Sequence, residues 1–252
     1  MGKLQGRVAI VTGGAQGIGA EYCRALAEAG AKIVVADILD GQAVAGHIEK
    51  AGGEAMALTV DVGDEVSVIA MVDAVEARFG RIDILVNNAA VYASLALKPF
   101  TEIDVAEWDR VMAVNVRGPF LCARTVVPVM RRNQYGRIIN IASGTPYKGT
   151  PGMLHYVSSK GATIAFTRAL AREVGEDGIC VNTLSPGLVL SEGVMGNDSL
   201  RETLTEPVLA SRAIKRDQLP EDLLAPLIFL ASDDCAFMTG QSMVVDGGSA
   251  MN

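Results

Sequence analysis

A tyrosine and a lysine four residues apart form the pair in this 252-residue chain that is best suited to acid–base chemistry. Tyr156 and Lys160 share one face of any helix that contains both. A free phenol has a pKa of about 10, so proton exchange near neutral pH requires that pKa to fall to about 7, a change of about 4 kcal/mol. A lysine ammonium about 4 Å away supplies roughly that energy at an effective dielectric constant near 20. The spacing therefore predicts a general acid/base whose pKa is lowered by a neighbouring cation.

Two further features distinguish this pair from the Tyr–Lys spacing that exposed helices carry by chance. Ser143 ends a strand-like segment, thirteen residues before Tyr156. A glycine-rich turn, TGGAQGIG, spans Thr12–Gly19. Its glycines let backbone N–H groups approach a phosphate, and the following helix directs the positive end of its dipole there. A glycine pattern alone also fits a plain turn, but its position between the first strand and the first helix favours a dinucleotide site.

An acid at the end of the second strand bears on the choice of dinucleotide. Asp37 follows Gly19 by 18 residues, where a carboxylate can accept hydrogen bonds from both adenosine ribose hydroxyls. It would also repel a 2′-phosphate; the glycine turn contains no Lys or Arg, and Ile38 follows the acid. These features favour NAD over NADP, and the alternative is a solvated loop acid.

The elements that must position these residues alternate between apolar runs and helical patterns. Continuous apolar runs indicate parallel strands covered on both faces. The predicted strands are Arg7–Thr12, Lys32–Asp37, Glu54–Asp61, Ile82–Asn87, Arg137–Ala142, Ile179–Ser185 and Ser242–Asp246. The predicted helices are Gln16–Ala29, Asp64–Phe79, and two long ones near Asp104–Arg132 and Met153–Gly175.

This alternation predicts the α/β class: a single-domain, Rossmann-type, doubly wound sheet of about seven parallel strands flanked by helices. We expect one NAD-binding catalytic domain over residues 1–252. The polar stretch at about 187–212, with Pro207 in its middle, follows a strand and is irregular in pattern. Loops of that length are usually functional, so it is the expected substrate loop.

Composition excludes several classes of function. Half of the residues are apolar and the net charge is −7, which argues against disorder and against general binding of nucleic acid or anionic membranes. A bilayer span needs about 20 apolar residues, and no stretch approaches that length. With no secretion signal in the sequence, we expect a cytoplasmic protein with its four cysteines reduced and mostly buried. Two histidines exclude a His-rich metal site, and no metal is expected.

The chain resembles the short-chain dehydrogenase/reductase family, in its compact single-domain branch, from Gly6 to Gly248. The motifs that carry the resemblance are T-G-x-x-x-G-x-G at Thr12–Gly19, Asp61-Val62, N-N-A-G as Asn87–Ala90, Asn115, Ser143 with Tyr156 and Lys160, P-G-x-V-x-T as Pro186–Ser191, and D-G-G at Asp246–Gly248. Two positions depart from the family pattern: Ala90 replaces Gly, at a cost of roughly 1 kcal/mol or more if the backbone there needs a positive φ, and Ser191 replaces Thr.

The resemblance implies the role of each residue. Tyr156 is implied to be the general acid/base, Lys160 to lower its pKa and hold the nicotinamide ribose, and Ser143 to hydrogen-bond the substrate oxygen. Asn115 is implied to anchor a water in a proton relay from Lys160. The implied cofactor-binding residues are Gly13, Gln16, Gly17, Ile18, Gly19, Asp37, Asp61, Val62, Asn88, Ala89, Tyr156, Lys160, Pro186, Gly187, Val189 and Ser191.

The function expected from these features is an NAD-dependent oxidoreductase that moves hydride between nicotinamide and a secondary alcohol or ketone. The expected pocket is mostly apolar, which suits an uncharged cyclic or aromatic small molecule. Its residues are Val91, Tyr92, Leu95, Thr145, Tyr147, Met153, Leu154, Leu188, Val189, Val194 and Met195. His155 could face this pocket or pack beneath a loop.

Two alternatives stay open: a 3-oxoacyl thioester (acyl carrier protein) reductase, which the acid at Asp37 and the negative net charge oppose, and a non-catalytic NAD-binding protein. The two long helices carry apolar residues beyond one core-facing stripe, and the family pairs them across subunits, so we predict a homotetramer. These residues are Phe120, Val126, Val127, Ala162, Ile164, Phe166 and Ala169.

Overall fold

Seven parallel strands form one sheet in the computed structural model, which describes residues 2–251 except for the side chains of 198–202. The strand order is β3-β2-β1-β4-β5-β6-β7. The strands are β1 Val8–Thr12, β2 Lys32–Asp37, β3 Ala55–Thr59, β4 Ile84–Asn87, β5 Gly136–Ile141, β6 Ile179–Pro186 and β7 Ser242–Val245. The predicted parallel, doubly wound sheet is confirmed, and the strand boundaries differ from the predicted ones by at most two residues at each end.

Helices cover both faces of the sheet. The α-helices are α1 Gly17–Glu28, α2 Gln42–Lys50, α3 Glu65–Phe79, α4 Val105–Met112, α5 Gly118–Asn133, α6 Thr145–Lys148, α7 Leu154–Val174, α8 Glu192–Met195, α9 Asp198–Ser211 and α10 Leu224–Ala231. A π-helical turn, Ala113–Arg117, joins α4 to α5. No helix in the described part of the chain is both long and apolar enough to cross a membrane.

Alternate residues of each strand face opposite layers of the core. Ala9 and Val11 pack in the layer with α1, α2 and α10, whereas Val8 and Ile10 pack in the layer with α3, α5 and α7. Both faces of the central strands are therefore dry, which explains why the strands are continuous apolar runs rather than alternating ones.

A buried chain of side-chain amides and a hydroxyl ties the sheet to α7. The Asn87 amide donates to Asn140 Oδ1 at 2.8 Å, and the Asn140 amide donates to the Thr167 hydroxyl at 2.8 Å. Asn140 is fully buried. These bonds fix the helix that carries Tyr156 and Lys160 against β4 and β5.

The direction of winding reverses between β1 and β4, because β2 lies on one side of β1 and β4 on the other. In open α/β sheets, ligands bind in the crevice at the carboxyl ends of the strands where the order reverses. The carboxyl ends of the strands, or the residues just after them, hold the glycine turn, Asp37, Asn88, Ser143 and the Pro186–Ser191 segment. The topology therefore gathers them at one edge of the sheet.

The helices differ from the sequence-based expectations in several places. Helices α2, α6 and α10 are not among the predicted elements, since α2 and α6 are short and α10 is apolar on nearly all sides and lacks an amphipathic period. The single long helix expected near Asp104–Arg132 is divided into α4, the π-helical turn and α5. The stretch at about 187–212, expected to be irregular, holds α8 and α9. Pro207 was expected to lie in irregular chain, but it lies inside α9 and does not interrupt that helix.

Candidate active site

Side chains at the ends of β1 and β4 lock the glycine turn in place. The Thr12 hydroxyl accepts hydrogen bonds from the backbone N–H groups of Asn88 at 3.0 Å and Ala89 at 3.1 Å. The Asn88 side-chain amide donates in return to the Thr12 and Gly13 carbonyls, each at 3.0 Å. The turn is therefore held by two neighbouring strands before any ligand binds.

Glycine is required in this turn by close backbone contacts. Gly13 has a φ of 65°, in the left-handed region that favours glycine. A Cβ on Gly19 would lie 2.0 Å from the Gly13 carbonyl oxygen, which no side chain tolerates. Helix α1 begins at Gly17, so its N-terminal N–H groups and the positive end of its dipole face the space above the turn.

The Asp37 carboxylate lies at the adjoining end of β2 and is mostly buried. One of its oxygens accepts the Ala15 N–H and the other accepts the Leu39 N–H, both at 3.0 Å. The glycine turn thus fixes the orientation of the acid. Asp37 also lines the cleft above the turn, so it is not a solvated loop residue.

Tyr156, Lys160 and Ser143 meet at the other end of the cleft, and all three are mostly buried. Lys160 Nζ donates to the Ile141 carbonyl at 2.7 Å and lies 5.8 Å from the centroid of the Tyr156 ring. The Ser143 hydroxyl accepts from the Thr145 N–H at 3.1 Å and is near enough to the Tyr156 phenol to lower its pKa. The i, i+4 spacing on α7 brings the phenol and the ammonium to one face, as expected.

Burial acts on the two titratable groups in opposite directions. Burial raises the pKa of the Tyr156 phenol above its ordinary value, the nearby Tyr92 adds to that rise, and the Ser143 contact opposes it. Burial also lowers the pKa of Lys160 to about 8, so this amine is largely charged at neutral pH. The lowering of the Tyr156 pKa that the spacing predicts is not found here, because desolvation of the phenol dominates.

Asn115 lies behind the cleft in the π-helical turn and is almost fully buried. Its side chain accepts the Val91 N–H at 2.8 Å and donates to the Val91 carbonyl and to the Ser159 hydroxyl. Ser159 in turn donates to the Tyr156 carbonyl at 2.7 Å. The stretch 91–98 after β4 is called the pocket segment below. The Asn115 side chain therefore connects this segment to the helix that carries Tyr156.

The π-helical turn also changes the backbone hydrogen bonding around Asn115. The Gly118 N–H bonds to the Ala113 carbonyl, five residues back, so the ladder is already widened at this point. Pro119 follows and has no N–H to donate to the Asn115 carbonyl, the acceptor that an α-helix would assign to residue 119.

One cleft of about 630 Å³ contains every implied cofactor-binding residue together with Ser143. Residues that sequence reasoning did not include in the site are Ile38, Leu39, Val60, Ala93, Ser94, Arg110, Val114, Ile141, Ala142, Glu192 and Gly193. Most of these directly adjoin a predicted residue, so the motif boundaries could have indicated them. Arg110 comes from α4, and no signal in the sequence points to it.

The substrate end of the cleft is only partly as expected. Val91, Tyr92, Val189 and Val194 line it. The other expected residues, Leu95, Thr145, Tyr147, Met153, Leu154, Leu188 and Met195, are not among its lining residues. Leu95 and Met153 are buried beneath it against Tyr156, and the side chains of Leu154 and Met195 are exposed. A prediction based on nearness in sequence to Tyr156 or to the Pro186–Ser191 segment therefore includes too many residues in the pocket lining.

Neither departure from the family pattern strains the site. Among the described non-glycine residues, only Gln134 has a positive φ, so Ala90 adopts an ordinary backbone conformation and carries no such cost. Ser191 lines the cleft with its hydroxyl retained. The four cysteines are free and buried, and the described residues include no cluster of three or more His, Cys, Asp and Glu side chains able to hold a metal ion.

The cleft fits a nicotinamide dinucleotide. The glycine turn leaves room where a Cβ would collide with backbone, and the start of α1 suits a pyrophosphate. Asp37 and Asp61 line one part of the cleft wall and Tyr156, Lys160 and Ser143 another. These are the features of an oxidoreductase that binds a dinucleotide across the carboxyl ends of a parallel sheet.

Comparison with known proteins gives the family. The family model described as enoyl-(acyl carrier protein) reductase matches residues 13–250. The chain is 37% identical over 258 residues to cyclopentanol dehydrogenase of Comamonas sp. strain NCIMB 9872, covering 100% of each chain. It is 34% identical to a 3-oxoacyl-[acyl-carrier-protein] reductase of Synechocystis sp. strain PCC 6803, again with 100% of each covered. The crystal structure of levodione reductase matches with a TM-score of 0.90 at 30% identity, covering 97% of this chain and 98% of that one. The chain belongs to the short-chain dehydrogenase/reductase family, and it is an oxidoreductase with a nicotinamide cofactor.

The close contact at Gly19 gives a direct test of the cofactor turn. We expect Gly19→Ala to weaken the binding of NADH by at least about tenfold, or roughly 1.4 kcal/mol, because the new methyl group must displace the Gly13 carbonyl. Fluorescence titration with NADH measures the loss. Gly46→Ala is the matched control, since a Cβ there meets nothing within 4 Å; equal affinity of both variants would contradict the assignment of the turn.

Proposed function

We propose that the enzyme uses NAD rather than NADP. The observation that carries this proposal is the Asp37 carboxylate, which the Ala15 and Leu39 N–H groups hold in the cleft wall. A carboxylate has about four lone-pair sites, so it can accept ribose hydroxyls in addition to these two bonds. The residues directly after it, Ile38 and Leu39, carry no positive charge that could neutralise a 2′-phosphate.

Replacement of Asp37 tests this choice. We expect kcat/KM for NAD to exceed that for NADP by at least about tenfold in the wild type, or roughly 1.4 kcal/mol, and Asp37→Ser to narrow the ratio. Asp40→Ser is the control, because it removes an exposed acid from the same loop and outside the cleft. Equal use of the two cofactors by the wild type would refute the proposal.

In the proposed chemistry, side chains of the protein transfer the proton and the cofactor transfers the hydride. When bound, the nicotinamide ring supplies or accepts the hydride. Tyr156 would give or take the proton at the substrate oxygen, and the Ser143 hydroxyl would hydrogen-bond the same atom. Lys160, charged below about pH 8, would favour the ionised form of the phenol and hold the nicotinamide ribose. Asn115 would anchor a water in a proton relay from Lys160.

Tyr156→Phe isolates the proton step, since it removes the hydroxyl and keeps the ring. Positioned acid–base catalysis contributes roughly 10²–10⁴, so we expect turnover to fall by at least about 100-fold while NAD affinity changes little. Tyr135→Phe provides the control: this ring packs on Arg7 and Arg137 at the opposite ends of the strands. Near-normal turnover in Tyr156→Phe would remove the phenol from the mechanism.

The proposed substrate is an uncharged secondary alcohol or ketone that is cyclic or aromatic. Val91, Tyr92, Val189 and Val194 make the walls near Tyr156 apolar. The similarity to cyclopentanol dehydrogenase supports the same class.

A 3-oxoacyl thioester reductase is the second candidate. The description of the matching family model and the reductase from Synechocystis favour it. The net charge of −7 opposes docking of an acidic carrier protein, and Asp37 opposes the phosphorylated cofactor. Absorbance of the reduced nicotinamide, followed with cyclic alcohols, aryl alcohols and 3-oxoacyl thioesters in parallel, separates the two; turnover of the thioesters alone would reject the alcohol class.

We further propose a homotetramer. Phe120 is nearly half exposed and borders a shallow depression formed by α4, α5, the π-helical turn and α7. Its apolar lining includes Met112, Val116 and Phe166, and the charged residues Asp109, Arg110 and Arg117 also line it. A second copy related by a two-fold axis would cover this face. Three of the apolar residues expected at the contact, Val126, Val127 and Ile164, are instead buried within the subunit.

Sedimentation velocity at micromolar concentration tests assembly. We expect a tetramer, and we expect Phe120→Glu to yield smaller species because a charge would enter the apolar contact. Phe237→Glu is the control, since Phe237 is exposed and lies outside this depression. A stable wild-type monomer would contradict the proposal.

A further inference from the structure

The residue before Tyr156 is a histidine that belongs to neither the cleft nor the surface. His155 is fully buried and is not among the residues that line the cleft. Its Nε2 lies 2.8 Å from Oε1 of Glu107 on α4. Its Nδ1 has no hydrogen-bond partner within the described part of the chain. Because an ionised carboxylate can only accept, Nε2 carries the proton and donates it to Glu107.

Glu107 connects this histidine to the wall of the substrate pocket. Its other oxygen pairs with Lys98 Nζ at 2.9 Å, at the end of the segment that begins with Val91 and Tyr92. The hydrogen bond from Lys98, with a smaller effect of His155, holds the pKa of Glu107 below its ordinary value. Glu107 is therefore an ionised acceptor shared by two elements.

A backbone hydrogen bond also joins the pocket segment to the chain just before α7. The Lys98 N–H donates to the Gly152 carbonyl at 3.0 Å, directly before α7 begins. Gly152 has a φ of 84°, which turns the chain into that helix. The pocket segment, α4 and the first turn of α7 are thus joined in a ring of polar contacts through Lys98, Glu107 and His155.

These polar contacts add to those that already hold Tyr156 in place. The ring of Tyr92, from the pocket segment, packs on the Tyr156 ring with centroids 4.7 Å apart. Asn115 and Ser159 hold the Tyr156 main chain from the π-helical turn. A shift of the first turn of α7 would move the phenol relative to Ser143 and to both of these contacts.

We propose that the hydrogen bond from His155 to Glu107 is a positioning device for the active-site tyrosine: it sets the first turn of α7 against α4 and the pocket wall. His155 does not line the cleft, so it acts only through Tyr156. The inference rests on the proposed role of Tyr156 as the acid/base. It requires a neutral N–H donor at the Nε2 position and does not require a positive charge.

Two substitutions of His155 separate the hydrogen bond from simple packing. His155→Leu fills similar space and removes the donor, whereas His155→Gln keeps an N–H near the Nε2 position. We expect His155→Leu to lower kcat roughly tenfold, since small misplacements of a reacting group are costly, with KM for the cofactor unchanged within about twofold. We expect His155→Gln to restore kcat to within about threefold of the wild type. His47→Leu and His47→Gln, at an exposed position on α2, are the matched controls and should leave kcat unchanged.

A second pair of variants approaches the bond from α4 in case His155→Leu does not fold. Glu107→Leu removes the acceptor and should reproduce the loss in kcat. Glu107→Gln keeps an oxygen towards His155 and should retain most of the wild-type kcat. Circular dichroism and cofactor binding verify folding in each case. Normal kcat in His155→Leu or in Glu107→Leu would overturn the proposal, and so would an equal loss in the Leu and Gln variants of His155.

A readout without turnover keeps this proposal separate from the proposed function. If the wild type converts no substrate in the panel, the proposed function fails, and the ionisation of Tyr156 is followed instead by tyrosinate absorbance, as the difference between each protein and its Tyr156→Phe counterpart. Burial raises the pKa of this phenol. We expect His155→Leu to bring its ionisation down towards the ordinary value of about 10, because a loosened helix start admits water, and His155→Gln to leave it in place. An unchanged titration in His155→Leu would also overturn the inference.

Discussion

The site depends on one local constraint, the joining of the carboxyl ends of β1 and β4 through Thr12 and Asn88. Parallel strands leave their last N–H and C=O groups unpaired at the point where the strand order reverses, and those groups need partners if they are kept from water. Here a hydroxyl and an amide supply them and at the same time fix the glycine turn. The crevice therefore exists as a rigid shape rather than as a loop that a ligand must order.

Desolvation sets the chemical character of the other end of the cleft. An apolar enclosure strengthens hydrogen bonds to a substrate oxygen, and it also disfavours both the tyrosinate and the ammonium. Burial raises the pKa of Tyr156 and lowers that of Lys160, so the apoprotein holds a neutral phenol beside an amine that is charged only below about pH 8. A negatively charged dinucleotide in the cleft would favour the ammonium, which links occupancy of the site to readiness for proton transfer.

The sequence predicted the fold and the site well where a short local pattern determines the structure. Apolar runs predict the strands because both faces of the sheet are dry, and the glycine turn, Asp37 and the Tyr156–Lys160 spacing locate the cleft. It was less informative where contacts join distant segments. Pro119 reveals a missing donor, but the π-helical turn before it depends on packing, and the bond between His155 and Glu107 spans 48 residues. Helix α9 was missed because the proline inside it resembles a break.

The last strand has a consequence for biosynthesis. The Val245 carbonyl of β7 accepts the Gly187 N–H and the Gln218 side-chain amide, and β7 forms the edge of the sheet next to β6. The segment that follows β6 in the cleft is therefore supported by a strand that is synthesised after the other six. A chain that has not yet reached β7 would lack this support for one wall of its cleft. Because parallel pairing is non-local and slow, a truncated product lacking β7 would retain most of the core and yet lose part of the support of its cleft, so activity would report that β7 has been made and has paired.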